Sequence, residues 1–152
     1  MKLRLAPYDL LTKKVNAFDF NKLDAEQIEK EIIDIMLKHD GLGLAANQVG
    51  YNRRMFVMDT SNEKDNPQVF INPIVKSKNN IKMPDTEGCL SCPGEEVKVS
   101  RSMSVNLEWT CRHGKLQHKT FYYLPCRVVQ HEMDHINGKL IMDHGPILKR
   151  EW

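Results

Sequence analysis

The chain has 152 residues, which suits one compact domain and is short for two domains of ordinary size. Its 22 basic and 20 acidic residues leave a formal charge of +2, so neither a charged tail nor a basic surface for nucleic acid is expected. With 41% hydrophobic residues and four cysteines, the composition excludes a disordered chain, a membrane-embedded protein and a disulfide framework. We therefore expect a soluble single domain over residues 1–152.

The first ten residues, MKLRLAPYDL, lack the features of a targeting segment. Charged residues and Pro7 interrupt the apolar ones, so a secretory signal is not expected. No stretch of the chain approaches the roughly 20 apolar residues of a membrane-spanning helix. These features predict a cytoplasmic protein with reduced cysteines and no membrane partner.

A first helix is predicted from Asp24 onward. Asp24 and Gln27 have the spacing of a capping box, and Gly41 marks the end of the helical pattern. Apolar residues recur at helical intervals on one face, namely Ala25, Ile28, Ile32, Ile35 and Met36.

The next segment is rich in glycine and alanine, GLGLAANQVG over residues 41–50. Small residues let another strand or an extended peptide approach the backbone closely. The amide of Gln48, which follows them, is placed to face a developing oxyanion. The segment has neither the glycine spacing nor the lysine of a nucleotide-binding loop.

Strands are predicted in the middle of the chain, separated by short loops. Apolar stretches at residues 54–60 and 68–75 are typical of strands, and polar stretches at residues 61–67 and 76–80 are typical of loops. Alternating apolar residues from Met103 to Trp109 predict a half-buried antiparallel strand, followed by a turn at residues 111–115 into residues 116–124.

A second helix is predicted from about Pro125 to Asn137 and Gly138, with proline in the first turn and glycine at the C-terminal cap. Because the strands lie together between two separated helices, the pattern predicts an α+β fold. We expect antiparallel sheets packed around a central helix, the second one.

Residues 130–135, QHEMDH, place a metal-binding pattern on this second helix. His131 and His135 lie one turn apart on the same face, so both imidazoles can reach one metal ion. Glu132 is placed to act on a water molecule instead of binding the metal. Val128 and Leu124 extend the same face with apolar side chains. The alternative interpretation is a helix with two unrelated surface histidines.

A catalytic site of this kind needs a third protein ligand and one open position. After His135 the chain offers Asp143, His144 and Glu151, which lack the spacing of the downstream ligand in gluzincin or metzincin proteases. The third ligand is therefore expected upstream of the helix.

Cys89, in a predicted loop at residues 87–94, is the candidate for that upstream ligand. A redox dithiol of Cys89 and Cys92 is one alternative, but no βαβ pattern surrounds the pair. A zinc ribbon is another, but it requires a second CxxC pair, and Cys111 and Cys126 are too far apart. These last two cysteines are expected to be buried packing residues.

Together the three segments resemble the peptide deformylase family. The family has the motifs GxGxAAxQ, EGCLS and HExDH in this order, and this chain has them at residues 41–48, 87–91 and 131–135. The resemblance implies a metal-dependent hydrolase that removes the N-formyl group from the N-terminal methionine of newly made polypeptides and releases formate. An HExxH metalloendopeptidase and a non-enzymatic metal-binding or redox module are the alternative hypotheses.

The resemblance also implies a role for each matching residue. The metal ligands would be Cys89, His131 and His135. Glu132 would be the general acid/base, and Gln48 with the backbone N–H of Leu90 would hold the formyl oxygen and then the oxyanion. The backbone of Gly43 and Leu44 and the loop of Glu87 and Gly88 would line the extended peptide. Val128 would form part of the wall of the methionine pocket.

The same resemblance implies a cofactor and partners. The metal would be one divalent ion, Fe²⁺ in cells, with Zn²⁺, Ni²⁺ or Co²⁺ as alternatives, because Cys-His-His ligation suits several metals. The partners would be N-formylmethionyl nascent chains, with ribosome contact as a further expectation.

The chain departs from the family pattern in three places. Cys92 stands where many members have an apolar residue. Arg127 interrupts the apolar helix face, and we expect it as a solvated charge more than as part of the pocket rim. Many bacterial members continue into a C-terminal helix, whereas residues 143–152, DHGPILKREW, contain Gly145 and Pro146 and predict a short end without that helix.

Overall fold

A computed structural model of the chain describes residues 1–150, apart from the side chains of residues 149 and 150. Within this range lie two α-helices, α1 (Ala25–Lys38) and α2 (Tyr123–Ile136), and three 3₁₀ turns at Asp9–Thr12, Ala46–Val49 and Ile141–His144. The strands are β1 (Gly43–Ala45), β2 (Met55–Met58), β3 (Gln68–Lys78), β4 (Lys82–Cys89), β5 (Cys92–Ser102), β6 (Ser104–Thr110), β7 (Leu116–Tyr122) and β8 (Ile147–Arg150).

The strands form two antiparallel sheets, which confirms the predicted α+β class. One sheet has the order β1-β2-β3-β6-β7 and the other the order β4-β5-β8. Helix α2 contacts β1, β2, β6 and β7 of the larger sheet and β5 of the smaller one. The metal-motif helix therefore lies between the two sheets, where residues from both can reach it.

Helix α1 begins as the sequence predicts. The Asp24 carboxylate accepts a hydrogen bond of 3.1 Å from the backbone N–H of Gln27, which pairs one of the free N–H groups of the first turn. The apolar face of α1 is buried against β1 and β2, with Ile32 and Met36 fully enclosed. Burial of such a side chain stabilises the fold by about 1.5–3 kcal/mol, so this face fixes the helix in front of the glycine-rich segment.

Helix α2 packs on the larger sheet through a second core. Phe56 and Phe70 stack with ring centroids 4.7 Å apart, and Val129 and Ile136 of α2 are fully buried in the same cluster. This packing holds the helix at a fixed distance from β1, the strand that leads into Gln48.

The hairpin of β4 and β5 is the largest difference from the sequence prediction. Residues 87–94 are not a loop, because β4 continues to Cys89, β5 begins at Cys92, and only Leu90 and Ser91 form the turn. Val97 and Val99 are buried while the residues between and after them are exposed, a two-residue alternation that indicates a strand.

Other boundaries differ by a few residues. Strand β3 continues through residues 76–78, where the sequence predicts a loop, and α2 begins two residues before Pro125. After α2 the described chain forms a 3₁₀ turn and then β8, which pairs with β5. Neither described helix has the length and apolar character needed to cross a membrane.

Candidate active site

Three metal-ligating side chains meet where α2 faces the tip of the β4–β5 hairpin. The Sγ atom of Cys89 lies 3.3 Å from Nε2 of His135, and that atom lies 3.1 Å from Nε2 of His131. All three ligand atoms lie within 4.8 Å of one another. Donors so close together need shared protons or a common cation, and one sulfur with two imidazoles suits a divalent transition metal. The residues therefore fit a metal ion.

Glu87 fixes the orientation of the first histidine. Its Oε1 lies 2.9 Å from Nδ1 of His131, so the Nδ1 proton bonds to the carboxylate and Nε2 is left toward Cys89. Burial acts to lower the pKa of His131, but the hydrogen bond to Glu87 and the negative charges of Glu132 and Glu87 together outweigh it and raise the pKa.

Glu87 is also the centre of a buried group of ion pairs. Arg101 donates two hydrogen bonds of 2.9 Å to its carboxylate and one of 2.6 Å to Asp134, and Arg127 donates one of 2.6 Å to Glu87. His144 lies 2.7 Å from Asp134. Burial acts to raise the pKa of Glu87, but the hydrogen bonds from Arg101 and His131 hold it well below its ordinary value. Asp134 belongs to the HExDH motif, but the sequence assigns this ion-pairing role neither to Asp134 nor to Arg101.

The expectation of a solvated Arg127 is wrong. Its side chain is only 14% exposed, because the guanidinium bonds to Glu87 and to the backbone carbonyls of Met83 and Val99. The helix interruption seen in the sequence is therefore a bridge from α2 to β4 and β5.

His135 is held as a neutral ligand by its surroundings. The side chain is 1% exposed, and burial together with the nearby charge of His131 lowers the pKa of His135 well below its ordinary value. The interpretation of two unrelated surface histidines is thereby excluded. Asn47 donates a 2.6 Å hydrogen bond from Nδ2 to the His135 carbonyl, which ties the glycine-rich segment to α2.

Glu132 is a buried carboxyl group with an incomplete set of partners. It is 3% exposed, and its Oε2 has no hydrogen-bond partner among the described residues. Burial raises the pKa of Glu132 to about 7. Gly43 makes this arrangement possible, since a Cβ atom there would lie 2.9 Å from Glu132 Oε1 and from Val128 Cγ1. A residue with a side chain at position 43 would force the side chains of Glu132 and Val128, or β1 itself, to shift.

Gln48 is fixed beside the cysteine ligand. Its Oε1 accepts a 2.9 Å hydrogen bond from the Ala45 N–H, and its Nε2 donates one of 3.0 Å to Ser91 Oγ. The same Nε2 is 3.7 Å from Cys89 Sγ. Ser91 is fully buried and holds the amide with its donor side toward the ligands, a role that the sequence analysis does not assign.

A cavity of about 710 Å³ opens onto these groups. Most of the predicted catalytic, substrate and metal-binding residues line it, namely Gly43, Gln48, Glu87, Gly88, Cys89, Leu90, Val128, His131 and Glu132, whereas His135 is not a lining residue. Leu44 is not a lining residue either; its side chain is fully buried between α1 and the sheet, and the expected contact of its backbone with the substrate stays a prediction. Further residues line the cavity that no motif or spacing in the sequence points to, among them Leu3, Leu5 and Asp85.

The remaining candidates have other partners. Asp143 accepts a 2.9 Å hydrogen bond from the Leu140 N–H, His144 pairs with Asp134, and Glu151 lies outside the described residues.

All four cysteines are free thiols. Cys92 is buried beside Cys89, and its hydrogen bond to Cys89 together with burial raises the pKa of the Cys89 thiol. Cys126 is buried as expected, whereas Cys111 is partly exposed.

The chain is similar to known proteins in sequence and in fold. The polypeptide deformylase family model matches residues 1–151. Peptide deformylase 1 of Shewanella oneidensis is 38% identical over 150 residues, which cover 98% of this chain and 88% of that protein. Peptide deformylase 2 of Xanthomonas campestris pv. campestris is 41% identical over 121 residues, 80% of this chain and 71% of that protein. The crystal structure of peptide deformylase from Thermotoga maritima superposes with a TM-score of 0.89 and 33% identity, covering 95% of this chain and 97% of that one.

Proposed function

The chain belongs to the polypeptide deformylase family, and we propose that it removes the N-formyl group from the N-terminal methionine of newly made polypeptides and releases formate. The observation that supports this best is the convergence of Cys89, His131 and His135 beside an incompletely paired Glu132 at a cavity. Burial of an unpaired carboxyl group costs free energy, and a purely structural metal site does not require such a group at its edge. The presence of Glu132 therefore favours a catalytic site.

Cys89, His131 and His135 would hold one divalent metal ion, which we propose is Fe²⁺ in cells, with Zn²⁺, Ni²⁺ or Co²⁺ able to replace it. When bound, the metal supplies a Lewis acid that polarises a carbonyl group and acidifies water. Glu87 keeps His131 in the tautomer that presents Nε2, and the low pKa of His135 keeps that ligand deprotonated.

Glu132 moves the proton in this proposal. A carboxyl group whose pKa lies near 7 both accepts and donates a proton at neutral pH. Its carboxylate takes the proton of the water that attacks the formyl carbon and delivers it to the methionine nitrogen. The formyl carbon–nitrogen bond then breaks, and the products are formate and a free amino terminus.

Gln48 stabilises the charge that develops on the formyl oxygen. Its Nε2 is a fixed donor beside Cys89, and the backbone N–H of Leu90, in the hairpin turn, is the second donor that we propose. Donors held in place before the reaction stabilise the oxyanion without reorganisation.

The cavity suits a formyl-methionyl peptide. Gly43 and Gly88 let the peptide backbone approach the edges of β1 and β4, and Val128 with Leu124 forms an apolar wall for the methionine side chain. We propose that the substrates are nascent chains, met in the cytoplasm and at the ribosome.

Formate release from formyl-Met-Ala-Ser by the metal-loaded protein, prepared without oxygen, tests the function. Acetyl-Met-Ala-Ser is the matched control, and the account predicts formate and a new free amine from the first peptide only. A protein that binds the metal stoichiometrically but releases no formate contradicts the proposal. Cleavage of internal peptide bonds in casein would favour the metalloendopeptidase instead.

A further inference from the structure

The amino-terminal segment, residues 3–6, lies along the same cavity. The N–H of Arg4 donates a 2.7 Å hydrogen bond to the carbonyl of Gln48, and the N–H of Ala6 donates one of 2.8 Å to the carbonyl of Ser91. The segment is thus attached to the two turns that hold the amide donor and follow the cysteine ligand. Any side chain that it directs inward faces the site described above.

Side chains alternate along this segment, as they do in extended backbone. Leu3 and Leu5 line the cavity. Arg4 points elsewhere, because its guanidinium lies over the Tyr8 ring at 5.3 Å from the centroid and its Nε is 3.4 Å from the Cβ position of Gly50. Leu3 packs against the same core cluster as Leu90, whereas Leu5 remains 50% exposed. The segment therefore presents one supported leucine and one exposed leucine to the cavity.

These leucines and the predicted methionine pocket lie beside different parts of the β4–β5 hairpin. Arg127, on α2 beside Val128, bonds to the carbonyl of Met83, so this part of α2 faces the Asp85 end of β4. Leu5 precedes Ala6, which bonds to Ser91, beyond the Cys89 end of the same strand. Asp85 and Cys89 are four residues apart in β4, a separation of about 13 Å at the usual strand rise.

We propose that Leu5, which lines the cavity together with Leu3, is a specificity-determining residue for the peptide positions that follow the methionine, and that it favours an apolar side chain there. This inference rests on the proposed function. With the methionine side chain against Val128, the peptide residues that follow it can reach the part of the cavity that Leu3 and Leu5 line. An apolar side chain that covers Leu5 gains binding free energy because apolar surface is removed from water. A charged side chain at the same place would lose its hydration, and the leucines offer it no hydrogen bond or opposite charge in return.

The test compares kcat/KM of the metal-loaded enzyme for formyl-Met-Ala-Leu, formyl-Met-Leu-Ser and formyl-Met-Ala-Ser. The wild type is expected to prefer a leucine-containing peptide by about threefold to tenfold, through KM, as partial burial of one apolar side chain implies. The variant Leu5→Asp should lose this preference, and Leu5→Ile should retain it. Leu116→Ser, at a 65% exposed leucine of β7 that does not line the cavity, is the control and should match the wild type.

Each outcome bears on the inference. Loss of the preference in Leu5→Asp with formyl-Met-Ala-Ser still processed supports it. Equal kcat/KM for all three peptides in the wild type, or an equal loss for all three in Leu5→Asp, overturns it while leaving the proposed function intact. Absence of formate from every peptide with the wild-type enzyme would contradict the proposed function itself.

Discussion

Two groups of largely buried polar side chains lie next to each other where α2 packs against the β4–β5 hairpin, and they differ in how completely their members are hydrogen-bonded. In the ion-pair cluster, Glu87, Arg101, Arg127 and Asp134, hydrogen bonds of 2.6–2.9 Å join every member to another. In the ligand cluster, Cys89, His131, Glu132 and His135, two buried atoms have no partner among the described residues: Glu132 Oε2 and His135 Nδ1.

This difference indicates that the ion-pair cluster serves the stability of the fold and the ligand cluster serves the chemistry of the site. A buried charge costs free energy unless hydrogen bonds and opposite charges surround it, so the ion-pair cluster is arranged to hold its shape. The ligand cluster keeps donor and acceptor atoms for a metal and a substrate. His131 belongs to both, because Glu87 bonds to its Nδ1 while Nε2 faces the other ligands. Variants in the two clusters should therefore have different consequences.

Cys89→Ser should have the largest effect, on metal binding and activity together. Changes in the partners of metal ligands typically weaken metal affinity by 10–100-fold, and loss of a direct ligand is expected to exceed about 100-fold. Metal content after gel filtration and formate release measure the two losses, and circular dichroism checks the fold. Stoichiometric metal in this variant would remove Cys89 from the ligand cluster.

Gln48→Ala should lower kcat by about 10²–10³-fold, the usual cost of losing one oxyanion donor, with little change in KM. Metal content should equal that of the wild type because Gln48 is not a ligand in this account. Gln117→Ala, at an exposed residue of β7, is the matched control. An unchanged kcat would leave Ser91 and Gln48 with a structural role only.

Arg101→Met should destabilise the protein by about 3–5 kcal/mol, because it leaves the buried carboxylate of Glu87 without its main partner. The control is Lys76→Met, which breaks an exposed pair with Glu108 at 3.4 Å and should cost less than about 1 kcal/mol. Urea unfolding of the metal-free proteins measures both. Similar decreases in the free energy of unfolding in the two variants would show that the ion-pair cluster stabilises the fold no more than an exposed ion pair does.

The smallest expected effect is on the free energy of unfolding at low pH, in the variant Glu87→Gln. Since the folded-state pKa of Glu87 is lowered, its stabilisation is complete above the ordinary glutamate pKa of about 4.3 and is lost as the pH falls toward the folded-state value. Glu87→Gln should therefore show a shallower decrease in the free energy of unfolding below about pH 4.3 than the wild type. Equal slopes would indicate that Glu87 is not held charged in the folded protein.

The sequence predicts the ligand cluster better than the ion-pair cluster, for a physical reason. His131, Glu132 and His135 are ordered by the period of one helix, and Asp24 and Gln27 by a local cap, so for these residues spacing along the chain is enough. Cys89 is only a candidate on spacing, and its role as a ligand comes from the resemblance of its motif to the family. The hydrogen bonds of Arg101 join residues 14 and 33 positions away, and only the packing of α2 against the hairpin brings them together.

The same limit explains the other differences. The β4–β5 hairpin has its strongest signal in Val97 and Val99, outside the motif that draws attention to Cys89. Leu3 and Leu5 lie near the amino terminus. They reach the cavity because the backbone of this segment bonds to the carbonyls of Gln48 and Ser91, and the spacing of residues in the sequence does not predict these long-range bonds.

Glu132→Gln tests the central claim, that the unpaired carboxyl of the ligand cluster acts in catalysis and not in folding. The measurement is formate release from formyl-Met-Ala-Ser together with metal content and Tm, on metal-loaded wild type and variant. We expect a fall in kcat of about 10²–10⁴-fold, with full metal occupancy and a Tm no lower than that of the wild type, since the neutral amide is easier to bury. Retained activity, or a loss of activity that accompanies a loss of metal or a lower Tm, would contradict it.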